Sequence, residues 1–199
     1  MKTVGALILA FLFGTTLYAQ ETLVDGDVEF GGYGGPTLQL TSVNEQLGVL
    51  VGGGGGVVID HTIAIGGAGY GLVNNVSEDN APVSRPYLNL GYGGVYLQYI
   101  HRSDDLIHVT GGVLIGGGGV GFRRGFEDDP DEIWDDHDTL NDAFFVVEPD
   151  IEAELNITKY FRIAVGGGYR FVSGIGLSGL ANSDISGPNA RLMLKFGSF

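Results

Sequence analysis

The chain has 199 residues, with 24 acidic against 10 basic, no cysteine and 36 glycines. That length suits one substantial domain. The formal charge of −14 argues against a nucleic-acid partner, which would select a basic patch, and the missing cysteine removes disulfide frameworks, cysteine zinc sites and lipid attachment through an N-terminal Cys.

Residues 1–19 read as a signal peptide: Lys2 gives a positive start, Val4 to Phe13 an apolar run, and Leu17-Tyr18-Ala19 a cleavage end before Gln20. Export through the general secretory route is expected, with residues 20–199 as the folded domain. The apolar run is shorter than the roughly 20 residues that span a bilayer as helix. Every later apolar run is interrupted by glycine or charge. Any membrane span must then be a closed barrel, the other arrangement that satisfies every backbone hydrogen bond in lipid.

After a polar lead-in, Glu21 to Asp27, a first strand is expected from about Val28 to Leu40. Phe30, Leu38 and Leu40 fall on one face, and Glu29, Tyr33, Thr37 and Gln39 on the other. Thr41 to Gln46 reads as a turn. The second strand, Leu47 to Ile59, carries the glycine run Gly52 to Gly56 and ends at the tight turn Asp60-His61. The third runs from Thr62 to Val73, and Asn74 to Pro86, with two prolines, reads as a loop. The fourth spans Tyr87 to Ile100, and its alternation slips near Gly93-Gly94, where a bulge is expected. His101 to Asp105 is a short turn before the fifth strand, Leu106 to Phe122, which holds the run Gly116 to Gly119. Arg123 to Asp142 is the longest and most acidic loop.

The clearest pattern lies between Ala143 and Val172. Phe145, Val147, Pro149, Ile151, Ala153 and Leu155 alternate with Glu148, Asp150, Glu152 and Glu154, and a period of two means extended chain. After the turn Asn156 to Lys159 the alternation resumes. Phe161, Ile163, Val165, Tyr169 and Phe171 lie on one face, and Arg162, Ala164, Gly166, Gly168 and Arg170 on the other. So short a turn forces antiparallel pairing. A turn centred near Thr158 would set Glu154 across from Arg162, with Glu152 and Asp150 facing Ala164 and Gly166. Ser173 to Asn189 is a Gly/Ser/Asn loop, and Ala190 to Phe199 is the eighth strand.

The second, fourth and sixth connections are tight, whereas the third, fifth and seventh are long and polar; the first, of intermediate length, is the weak case. Because antiparallel strands alternate direction, tight turns gather at one end and long loops at the other, as in outer-membrane barrels. Aromatics bracket the apolar band: Phe30, Tyr99, Tyr160, Phe161, Phe196 and Phe199 near the tight-turn rim, and Tyr87, Phe122, Phe145 and Phe171 near the other.

With these features the sequence resembles the small eight-stranded outer-membrane β-barrel proteins of the OmpA/OmpX type, over about Val28 to Phe199. The resemblance rests on the signal peptide, the alternating strands, the loop asymmetry and the stretch Leu192-Met193-Leu194-Lys195-Phe196-Gly197-Ser198-Phe199. It implies an all-β, eight-stranded antiparallel up-and-down transmembrane barrel in the cell outer membrane. It also implies insertion by the barrel-assembly machinery, with Phe199 in the place of the family's insertion signal. Phe199 is out of phase with Leu192, Leu194 and Phe196. Outer-membrane lipid is the expected partner and the monomer the expected state.

The inward face would collect Glu29, His108, Glu148, Asp150, Glu152, Glu154, Arg162, Arg170, Arg191 and Lys195. Mixed charge in a narrow lumen neutralises itself, because buried ions must be paired or hydrated; a closed salt-bridge network and a non-enzymatic role follow. Acidic external loops then suit structural, adhesive or ion-interaction roles. The alternatives are a narrow channel or carrier, for which inward Gly52, Gly54, Gly56, Gly116, Gly118, Gly166 and Gly168 would leave lumen volume, and a lipid-modifying enzyme. For the enzyme, His101-Arg102-Ser103 is similar to the His-x-Ser pair of outer-membrane lipid A deacylases, but the downstream strand offers no glutamate. A soluble lipocalin-type barrel is a further alternative. No cofactor is expected, although Asp128, Asp129, Asp131, Asp135, Asp136 and Asp138 are hard oxygen ligands suited to Ca²⁺ or Mg²⁺. Their spacing lacks the glycine and final glutamate of an EF-hand loop.

Overall fold

The computed structural model describes residues 28–76, 86–124, 142–177 and 179–199. The alternating stretches form β1 (Phe30–Val43), β2 (Gln46–Ile59), β3 (Ile63–Leu72), β4 (Pro86–His101), β5 (Ile107–Arg124), β6 (Asp142–Thr158), β7 (Phe161–Ser173) and β8 (Gly187–Ser198), with a one-turn helix α1 (Asn182–Ile185) before the last. Each strand pairs antiparallel with the next, and β8 returns to β1, closing the barrel. Closure leaves no sheet edge, so the backbone of every strand finds its partners within the wall.

The wall is apolar outside. Leu38, Leu40, Val51, Val57, Ile65, Val95, Leu97, Val109, Ile115, Ile151, Val165 and Leu192 all stand exposed, each on the outward phase of its strand. Phe30, Tyr99, Tyr160 and Phe196 are exposed toward the tight-turn end, and Phe145, Tyr169 and Phe171 toward the other. Phe122 leaves the expected outer ring: its phase turns it inward, where it packs against the buried cluster of Leu88, Leu90, Val120 and Phe144.

Several boundaries move. β1 continues to Val43, so the first connection is the hairpin Asn44-Glu45, with φ of 48° and 61°. Asp60-His61 repeats that geometry with φ of 49° and 53°, the left-handed pair whose twist matches adjoining strands. One tight hairpin therefore sits at the end that also carries the long connections. β6 continues to Thr158, and β8 begins at Gly187 rather than Ala190.

The bulge expected at Gly93-Gly94 is absent, since the register of β4 runs unbroken through it on both sides. What changes there is the chemistry of the two faces. Leu88 and Leu90 point inward, whereas Val95 and Leu97 point outward, so an apolar pattern crosses from one phase to the other without any extra residue. The register shift lies instead between Asn156 and Thr158.

The glycines let strands close in on one another. A Cβ on Gly52 would land on the Gly69 carbonyl, one on Gly116 on the Gly93 carbonyl, and one on Gly166 on the Ile151 carbonyl. The inward glycines thus mark backbone contact in a tightly coiled wall rather than empty lumen.

Candidate functional site: the charged lumen

The interior divides along the barrel axis. At the end carrying the long connections, Val43, Leu50, Leu90, Leu114 and Val146 form a dry cluster completed by Val76, Leu180 and Ile185 from outside the strands. At the tight-turn end, Tyr33, Val58, Ala64, Ile100, Ala164 and Met193 form a smaller one, with Phe199 packed against it. Between them lies a ladder of ions.

The ladder follows from strand phase. β6 contributes Glu148, Glu152 and Glu154, all buried, and Asp150 beside them, while β8 contributes Arg191 and Lys195. β7 lies between these strands and presents only Ala164, Gly166 and Gly168 at the matching levels. Small residues on β7 open the path by which the β8 cations reach the β6 carboxylates. Arg191 lies 2.7 Å from Asp150, 3.0 Å from Glu152 and 4.0 Å from Glu148. Its contacts with Asp150 and Glu152 are at ion-pair distance without hydrogen-bond alignment, and its Nη1 donates to the Tyr70 hydroxyl at 2.8 Å. Lys195 contacts Glu152 at 3.4 Å and Glu154 more closely.

Glu154 also receives Arg162 at 3.6 Å and His108 at 3.3 Å. The contact with Arg162 is diagonal, because Arg162 stands opposite Asn156 and Glu154 opposite Ala164. The expected pairing was off by two residues: the strand runs on to Thr158, and the turn is Lys159-Tyr160 rather than Asn156 to Lys159.

Uncharged residues of β1 and β4 complete the ladder; the β1 members Tyr33 and Gln39 lie on the face expected to carry Glu29, whereas those of β4 carry no formal charge to mark them. Tyr92 donates to Glu148 at 2.7 Å, Tyr96 to Asp150 at 2.8 Å, and Gln39 to Glu148 at 3.0 Å. Gln98 donates to Thr110 at 2.9 Å and to Glu152 at 3.3 Å, and accepts from Tyr33. The usable signal was phase: Tyr92, Tyr96 and Gln98 share the inward phase of β4.

Two expected members behave differently. Glu29 is exposed at the tight-turn rim, where its carboxylate meets His61 Nε2 at 2.8 Å. That bond holds the imidazole pKa above its ordinary value, while burial opposes it. With Glu29 outside, the lumen balances Glu148, Asp150, Glu152 and Glu154 against Arg162, Arg170, Arg191 and Lys195. Arg170 is fully buried at the dry end. Among the described residues its hydrogen-bond acceptors are oxygens without formal charge: the Ile185 carbonyl at 2.8 Å, Thr41 Oγ1 and the Ser42 carbonyl at 3.4 Å, and the Tyr92 hydroxyl at 3.5 Å. Arg170 therefore joins the ladder through Tyr92 and ties α1 down over the lumen. Asn189, also buried, has both amide atoms without a partner among the described residues.

His101 is exposed whereas Ser103 is buried, so the two side chains do not face a common space as a catalytic pair must. Asp128, Asp129, Asp131, Asp135, Asp136 and Asp138 lie outside the described residues, as does the signal segment. Among the described residues no three His, Asp or Glu side chains are grouped to hold a metal ion. Phe199 does not join the exterior aromatics. Its ring lies 3.9 Å from the Arg162 guanidinium and stacks on Tyr33 at 6.0 Å.

No family model matches the sequence, and no curated protein matches it. Among solved structures, the chain is similar to Neisserial surface protein A, with 10% identity over 87% of this chain and 99% of that one, at a TM-score of 0.54. It is similar also to Ail, the attachment invasion locus protein of Yersinia pestis (10% identity, 86% and 99% covered, TM-score 0.46), and to the outer membrane protein OprG from Pseudomonas aeruginosa (8%, 84% and 93%, TM-score 0.49). The chain has the eight-stranded closed-barrel fold of small outer-membrane proteins.

Proposed function

We propose that the protein is a monomeric, non-enzymatic outer-membrane barrel that presents its acidic long-loop end to the outside, in a structural, adhesive or ion-interaction role. A ring of exposed aliphatic side chains around a closed wall suits lipid, since a water-soluble barrel would carry polar residues there. The observation that carries the closed-lumen part is the ion ladder itself. Its members are almost completely buried, they balance in formal charge, and dry clusters flank them at both ends. Ions so held and shielded disfavour a hydrated path, and with it transport.

The purified protein in planar bilayers is expected to show little or no steady conductance, and a large stable conductance would replace the closed-lumen reading with a channel. Heat-modifiable migration in the outer-membrane fraction tests the location. For orientation, protease added to intact cells should cut within residues 123–142 and spare Asp60-His61 and the turn at Lys159; the reverse pattern would invert the barrel.

A further inference from the structure

We infer that Phe199 is the stopper of the lumen at its tight-turn end, and that the exterior aromatic contact of β8 belongs to Phe196 instead. The inference rests on the closed-lumen reading. Alternation along β8 sends Leu192 and Phe196 outward and Arg191, Met193 and Lys195 inward. Phe196 stands 51% exposed and stacks on Phe161 of β7 at 4.8 Å with ring planes 18° apart, a flat aromatic pair on the outer wall. Phe199 has the opposite phase. Its ring turns across the barrel end and covers the lowest cation of the ladder, with the Arg162 guanidinium 3.9 Å from its centroid. Tyr33 supports it from β1, and Met193 and Ala164 belong to the same apolar cluster.

Electrostatics explains why an aromatic suits this place. Arg162 and His108 meet Glu154 at the end of the ladder nearest water. A ring face attracts the guanidinium while its apolar body keeps solvent off the ion pair beneath. An aliphatic residue could shield but not attract.

The chain has no cysteine and one tryptophan, which makes two clean reporters available. In a Trp134→Phe background, Phe196→Trp and Phe199→Trp are each reconstituted in vesicles containing brominated phospholipid. Strong quenching at position 196 and little at position 199 is expected; equal quenching at both would place Phe199 in lipid and overturn the inference. Separately, Met193→Cys introduces a thiol just above the stopper, and its labelling by a charged, water-soluble methanethiosulfonate is timed with and without Phe199→Ala. Labelling should become roughly tenfold faster or more when the ring and its cation–π contact are lost. If Phe199→Ala does not fold, Phe199→Ser, which likewise removes the ring and leaves no apolar cover, gives the same comparison. Rapid labelling with Phe199 intact would sink the closed-lumen reading; slow labelling that stays equally slow in the folded variant would sink the stopper alone.

Discussion

Replacing Arg191 with alanine tests the ladder where it is most densely connected. The guanidinium is 3% exposed and serves Asp150 at 2.7 Å and Glu152 at 3.0 Å. At an effective dielectric of about 20, unit charges roughly 3 Å apart attract by about 5 kcal/mol. Desolvation of each ion, several kcal/mol in magnitude, offsets most of that in the intact pair. Truncation removes the attraction but leaves two carboxylates buried, so the loss should be about 3 to 5 kcal/mol, or roughly two to four decades in the folding equilibrium. Urea unfolding in lipid vesicles, followed by Trp134 fluorescence and by heat-modifiable migration, measures it. The double change Arg191→Met and Asp150→Asn should recover most of the loss, because it removes one charge from each side while Glu152 keeps Lys195. Arg102→Ala supplies the baseline, as its 4.0 Å pair with Asp105 is largely exposed and worth about 0–1 kcal/mol. An Arg191→Ala loss no larger than that baseline would show that the lumen is hydrated and refute the reasoning.

The glycines divide in the same quantitative way. Gly116→Ala drives a methyl into the Gly93 carbonyl and should cost about 1–3 kcal/mol, whereas Gly71→Ala meets nothing within 4 Å and should leave the unfolding midpoint unchanged or slightly raised. The raised pKa of His61 makes its pair with Glu29 a stabilising contact that is complete below the unfolded-state pKa and fades as pH rises through the folded one. The unfolding midpoint should therefore fall slightly from about pH 6 to pH 8, and Glu29→Gln should flatten that slope. Calcium at millimolar concentration or below should shift Trp134 fluorescence if the neighbouring carboxylates hold a divalent ion; a response no greater than that of matched ionic strength would leave only a screened acidic loop.

Strand existence and phase were legible because a barrel wall enforces them: one face meets the lumen and the other the exterior, so Glu148 to Leu155 could alternate in only one sense. Strand ends were less legible. Thr41 and Asn156 extend their strands through residues that read equally well as turn, and their placement depends on partners such as Asn189 and Arg162 that lie far along the chain or across the hairpin. The apparent slip at Gly93-Gly94 came from assuming that apolar always means outward. That assumption fails where the dry interior cluster takes Leu88 and Leu90. Within the site, formal charge identified the ladder's ions. It could not find Tyr92, Tyr96 or Gln98, whose role depends on which carboxylate stands across the lumen. It also placed Glu29 inside, because phase alone does not say where a strand clears the rim.

Why the lumen is filled with ions at all is a separate question, since a well-packed apolar interior would be about as stable as paired charge, or more so. The unfolded chain supplies the reason. Along β6, Glu148, Asp150, Glu152 and Glu154 interrupt what would otherwise be a continuous apolar run from Ala143 to Leu155. A strand apolar on both faces is an aggregation-prone segment while it is still unpaired, and in an exported chain it approaches the apolar segments that membranes retain as helix. Alternating charge removes both hazards at little cost to the folded barrel, because each ion finds its partner on closure. Replacing the four acids with leucine and Arg162, Arg170, Arg191 and Lys195 with methionine should therefore yield a protein that refolds in detergent with stability equal to or above the parent. In cells the same variant should accumulate as aggregate or in the inner membrane. Fractionation beside in vitro unfolding separates these effects, and normal delivery of the apolar-lumen variant to the outer membrane would show that the ladder serves the folded state alone.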